Sequence, residues 1–138
     1  MTRLLHIPRG LPGSGKTTLG RDLAARTGAA HVELDAHRRR VWPDCPPSWN
    51  PYHGPGLAVQ EAFEAEVAAL LAAGRDVVAD RTSLNPEGLR RLETLGARLI
   101  FHDLRDMPLA TCQTRDAHRP AHARVGADNI RALHDRWL

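Results

Sequence analysis

Eight consecutive residues, Gly10–Leu11–Pro12–Gly13–Ser14–Gly15–Lys16–Thr17, satisfy the pattern GxxxxGK(S/T) at each of its fixed positions. Together those residue types bind a phosphate chain. Glycines at 10, 13 and 15 let the backbone bend until successive N–H groups point at one anion, and a helix starting there adds its partial positive charge. Lys16 can bridge the β- and γ-phosphates of a nucleoside triphosphate, and the Thr17 hydroxyl can ligate Mg²⁺, with any further ligands reached through water. Pro12, Ser14 and Thr18 complete the expected cradle. Lys16 is also the only lysine among 19 basic residues. A position that stays Lys in so arginine-rich a chain fits one that needs a compact ammonium charge.

Phosphoryl transfer from a bound triphosphate would need an acceptor oxygen in line, a group to take its proton, cations on the developing charge and a shield from water. Asp35 is placed to take the proton. Arg38 follows three residues later, on the same face if the segment is helical, and can grip an anionic group on the acceptor with two parallel hydrogen bonds. Alternatively, Asp35 caps a helix and Arg38, Arg39 and Arg40 form a solvated face. Arg115 and Arg119 are one turn apart, and can reach a transition state from a lid. Asp80 can orient one of these arginines or hold the metal's water shell.

Hydrophobic periodicity supplies the elements that must position these groups. Residues Arg3–Pro8 read as a buried strand, with Pro8 suiting its last position. A helix runs from Lys16 to Gly28, which is a ready C-terminal cap. Ala30–Leu34 is a second short strand with Asp35 just past its end. Trp42–Gly56 reads as an irregular loop holding two of the three tryptophans and the only tyrosine; Trp42, Trp49 and Tyr52 either stack on bases or sugars or pin the loop to the core. Leu57–Ala73 is an amphipathic helix with Val59, Phe63, Val67, Leu70 and Leu71 inward. A strand over Asp76–Ala79 ends at Asp80, and Asn85 followed by Pro86 starts a helix that closes at Gly96. Ala97–His102 is a further strand. Asp106 and Pro108 start a helix bearing Cys112 inward, Pro120–Gly126 is a loop, and Asp128 caps a last helix. Strands alternating with helices give an α/β, three-layer sandwich around a central parallel sheet of four or five strands, of the P-loop NTPase/kinase type. Residues 1–138 then form one domain, with a helical lid at about 110–126.

With 42% apolar and 25% charged residues, the chain is neither disordered nor membrane-spanning in character. It has no signal peptide and no apolar run near eighteen residues, so a cytoplasmic location and no membrane contact are expected. A net charge of +3 tilts it mildly toward polyanionic partners. Cys45 and Cys112 lack CxxC spacing and read as reduced core thiols. His31/His37 and His118/His122 have no matching Cys or His pair at finger spacing, which argues against structural zinc.

The chain resembles the 5′-hydroxyl kinase module of phage-type polynucleotide kinases, enzymes that repair nucleic-acid ends. The matching pieces are GLPGSGKT at Gly10–Thr17, DAHR at Asp35–Arg38, Asp80 followed by LNPE at Leu84–Glu87, and RDAHR at Arg115–Arg119. The resemblance implies Asp35 as general base toward the 5′-hydroxyl and Arg38 on the acceptor's adjoining phosphate, with Thr82 on the acceptor side. Lys16, Arg115 and Arg119 would act on the donor phosphates, and Asp80 would support Arg119. The stretch Arg81–Thr82–Ser83 between Asp80 and LNPE departs from the family by one extra residue, and no DxDxT-like phosphatase motif is present. The expected function is transfer of the γ-phosphate of ATP, or another NTP, to 5′-OH ends of DNA or RNA, with Mg²⁺ as cofactor. A separate 3′-phosphatase and ligase are the expected partners, and the sequence leaves the oligomeric state open. The same loop, lid and Asp base would serve a small-molecule kinase (sugar, shikimate-like or antibiotic), and the loop alone would serve a non-catalytic nucleotide-dependent nucleic-acid-binding module.

Overall fold

A computed structural model describes residues 2–138. Strand β1 (Leu4–Arg9) feeds the phosphate loop, and helix α1 (Lys16–Thr27) returns the chain to β2 (Ala30–Glu33). Helices α2 (Leu34–Val41) and α3 (Pro55–Ala72) follow, then β3 (Val77–Asp80), α4 (Pro86–Glu93) and β4 (Arg98–Asp103). Helix α5 (Leu109–Ala117), a 3₁₀ turn (Ala121–Ala123) and α6 (Ala127–Trp137) complete the described residues. The four strands form one sheet in the order β2-β3-β1-β4, with every pair parallel. Among the described residues, no helix is long and apolar enough to cross a membrane.

Alternation along β3 shows why both faces are covered. Val77 and Ala79 join Leu5, Ile7, Phe63, Val67 and Leu92 in the core under α3 and α4, whereas Val78 packs with Leu23 and Ala29 under α1. Successive strand residues point to opposite faces, so a strand buried throughout needs a helical layer on each side. A third apolar cluster (Leu11, Leu84, Cys112 and Ile130) lies between the phosphate loop and helices α5 and α6. The sheet's order reverses around β1, with β3 on one side and β4 on the other. In open parallel sheets, ligands bind at the carboxyl ends of strands beside such a reversal. The phosphate loop and Asp80 both sit there.

Several expectations shift. Strand β1 runs to Arg9, so Pro8 lies inside it, where β1 pairs only with β4, Pro8 standing opposite His102. With no ladder on the other side, the missing proline N–H breaks nothing. Helix α3 begins at Pro55, two residues before Leu57, because proline's fixed φ suits a first helical position. Asp35 lies inside the first turn of α2 and is not its cap; Glu33 is the cap residue. Asp128 likewise falls in the first turn of α6, behind Gly126. The helix after Asn85 stops at Glu93, short of Gly96, although the Asn85 side chain does cap it by accepting from Glu87 N–H. Cys112 is a core thiol, but Cys45 is half-exposed in the loop. That loop is pinned: Trp42 meets Trp49 edge to face, and Tyr52 packs over Gly88 of α4 beside Arg91.

Candidate active site

The phosphate loop is built by two left-handed glycines and one close approach. Gly13 (φ 87°) and Gly15 (φ 102°) turn the backbone in a region that side-chain-bearing residues rarely adopt. Gly10 does not adopt that conformation; a Cβ there would lie 2.5 Å from Ser14 Oγ. Ser14 Oγ is buried with no hydrogen-bond partner among the described residues, as suits a donor meant for an anion. Gly10 N–H donates to Thr82 O at 3.1 Å, which ties the loop to the segment after β3. A Cβ on Gly13 would come within 2.4 Å of Cys112 O, so α5 lies flush against the loop.

Lys16 is buried, and its ammonium donates to Leu11 O at 2.9 Å. Burial pulls its pKa down from 10.5 to about 8; Asp80 and Asp35 oppose that fall and Arg119 adds to it. Gly13, Gly15, Lys16, Thr17, Thr18, Arg115 and Arg119 line one cavity of about 210 Å³. Arg115 donates to Gly13 O at 3.4 Å. Helix α5 ends at Ala117, so Arg119 lies just beyond it, yet both arginines face the loop. Asp35, Arg38 and Thr82 do not line this cavity.

Asp80 does not contact Arg119, the arginine that the family resemblance has it support. Its Oδ2 accepts from the Thr17 hydroxyl at 2.9 Å and lies 2.8 Å from His31 Nε2. Arg119 instead pairs with Asp116 Oδ1 at 3.7 Å. The buried Asp116 carboxylate also accepts from the N–H groups of Val125 and Gly126, both at 2.9 Å, and so closes the 118–126 segment on itself. A hydroxyl and a carboxylate side by side at the start of α1 are hard oxygen donors, a set that fits Mg²⁺ beside a triphosphate. Thr17 would bind it directly and Asp80 through water.

On the acceptor side, Asp35 and Arg38 form an ion pair at 3.6 Å on the first turns of α2, with Asp35 more than half exposed. Helix α2 is locked to α3 by buried His37, which donates to Glu66 at 2.6 Å through Nε2 and accepts from Arg40 at Nδ1. Cys45 lies against Arg38, and burial pushes its thiol pKa up. Sequence reasoning did not assign His31 or Asp116 to this site. The signal for His31 was faint: His31 and Glu33 alternate onto one face of β2 beside the end of β3.

The sequence matches a protein family described as AAA domain across residues 5–138. No curated protein matches it. In fold, it is similar to a chain of the Pnkp1/Rnl/Hen1 RNA repair complex, with a TM-score of 0.76 and 24% identity over 99% of this chain and 44% of that one. It thus spans less than half the length of that relative. A sugar kinase from Janibacter sp. HTCC2649 matches with a TM-score of 0.72 and 20% identity over 100% of this chain and 79% of its own. A gluconokinase from Sinorhizobium meliloti 1021 matches with a TM-score of 0.63 and 19% identity, over 96% and 74% respectively.

Proposed function

This chain belongs to that AAA domain family and has an α/β P-loop kinase fold, and from that premise we propose that it is a polynucleotide 5′-hydroxyl kinase of the phage type. It transfers the γ-phosphoryl group of ATP, or of another nucleoside triphosphate, to the 5′-hydroxyl of a DNA or RNA end. The observation that carries this reading is the Asp35–Arg38 pair, a carboxylate and a guanidinium 3.6 Å apart at the carboxyl end of β2, with the Asp35 charge felt at Lys16.

In the reaction, the 5′-oxygen forms a bond to the γ-phosphorus, the bond from that phosphorus to the β,γ-bridging oxygen breaks, and the proton of the hydroxyl passes to Asp35. Arg38 holds the phosphate next to the reacting nucleoside, with Thr82 on the same side. The loop amides and Lys16 hold the β- and γ-phosphates. Arg119 and Arg115, carried by a lid at about 110–126, stabilise charge on the transferred group. Asp116 is the carboxylate that orients Arg119, and Asp80 serves the metal side with Thr17. Bound Mg²⁺ supplies neutralisation of the phosphate oxygens there.

Similarity to a chain of an RNA repair complex supports an end-repair setting, in which a separate 3′-phosphatase and ligase act alongside. A second reading, a small-molecule kinase, is favoured by length: the sugar kinase and gluconokinase are matched over 79% and 74% of their chains. Labelled ATP offered with 5′-OH DNA, 5′-OH RNA, nucleoside 3′-phosphates and common sugars separates the two. Label is expected on the 5′-OH ends. Asp35→Asn should lower transfer about 100-fold or more while nucleotide binding survives. Arg38→Ala should cost most with acceptors that carry the adjoining phosphate. Label on a sugar alone would establish the second reading, and binding without any transfer would leave a nucleotide-dependent module.

A further inference from the structure

The oxygen of Asp80 that accepts the Thr17 hydroxyl is the same Oδ2 that meets His31 Nε2. A carboxylate offers only acceptors, so both partners must donate: Thr17 its hydroxyl proton and His31 its Nε2 proton. The ring reaches this position because α1 carries a glycine opposite it. A Cβ on Gly20 would stand 2.7 Å from His31 Nε2. A mid-helix glycine is less favourable than alanine, and here the room it leaves is filled by the imidazole. On the far side of the ring, Nδ1 lies 3.7 Å from Glu33 Oε1, too long for a hydrogen bond.

We propose that His31 is a positioning residue for the metal: it holds the Asp80 carboxylate against Thr17, so that the threonine hydroxyl turns its proton to Asp80 and its lone pairs to the cavity. Groups that orient metal ligands without touching the metal commonly change its affinity 10- to 100-fold. The inference rests on reading the cavity as a Mg²⁺–triphosphate site. It does not depend on the acceptor.

The test is therefore binding of a fluorescent ATP analogue at graded Mg²⁺ and in EDTA. His31→Leu should raise the Mg²⁺ concentration for half-maximal tightening about tenfold and leave binding in EDTA unchanged. His31→Gln, whose amide nitrogen can donate from a similar place, should stay within about threefold of the unsubstituted protein. Gly20→Ala favours the helix yet crowds the imidazole off Asp80. It should shift the Mg²⁺ requirement in the same direction as leucine, and it carries the test if the leucine protein does not fold. An unshifted Mg²⁺ requirement in both His31→Leu and Gly20→Ala would overturn the proposal. So would an equal loss of binding in EDTA, which would mark His31 as a purely structural residue. Because the readout is binding, it is decided whatever the acceptor proves to be.

Discussion

Lys16 holds its charge against its surroundings. Burial lowers its pKa to about 8, whereas the unfolded chain would keep that proton until about 10.5. Between those values the unfolded state binds more protons, so this residue's contribution to stability rises with pH across that window. Triphosphate binding runs the other way, because the phosphates need the charged ammonium. Nucleotide affinity should fall as pH rises through 8, approaching tenfold per pH unit, and Lys16→Met should flatten the profile. Titration calorimetry from pH 7 to pH 9.5 reads both. Since this is the only lysine, isotope labelling of its side chain reports the protonation state directly. The motif identifies Lys16 from sequence alone, but its lowered pKa is a product of burial, to which residues 35, 80 and 119 add their charges only in the folded chain.

At the scale of elements, the junction after α5 rests on one carboxylate. Asp116 is 2% exposed and accepts two backbone N–H groups nine and ten residues ahead, at Val125 and Gly126. Asp116→Ala would leave both donors unsatisfied, at a cost of about 2–4 kcal/mol. Asp116→Asn should be nearly as damaging, because its NH₂ would face a second donor. The expected outcome is a lower melting temperature, together with new protease cleavage in the 118–126 segment. Loss of transfer should exceed loss of nucleotide binding, since Arg119 loses its partner while the phosphate loop keeps its own bonds. In sequence, Arg115 and Arg119 stand out as a pair one turn apart, and nothing local gives the aspartate between them a role. Its role depends on the chain doubling back at Pro120, which local periodicity does not encode. The same limit explains the shifted end of β1: proline's general preference puts Pro8 last, and the actual ladder decided how far the strand ran.

For the whole molecule, the net charge of +3 is modest, but α2 places Arg38, Arg39 and Arg40 in one turn next to Asp35. If the acceptor is a polynucleotide, contacts to phosphates beyond the reacting end release counterions. With two such contacts on a single strand, raising salt from 50 to 200 mM should weaken the acceptor about sevenfold. A sugar acceptor should be nearly indifferent to that change. KM measured at both ionic strengths for a 5′-OH oligonucleotide and for ATP separates this effect from general salt inhibition. Buried Arg81 donates to Gln60, Glu64 and the Gly88 carbonyl and stacks over Phe63. This network joins α3, α4 and the end of β3.

The phosphate loop, the alternation of strands and helices, and the inward stripe of α3 were determined by the sequence itself. Each depends on neighbours within a few residues: glycines that free the backbone, a helix start that concentrates partial charge, apolar residues at a fixed period. The partners of Asp80 were decided only by tertiary structure. Thr17 is 63 residues away from it and His31 is 49. They meet because the strand order β2-β3-β1-β4 sets the end of β3 between the phosphate loop and β2. Strand order is fixed by the packing of whole layers, and no local pattern in the chain records it.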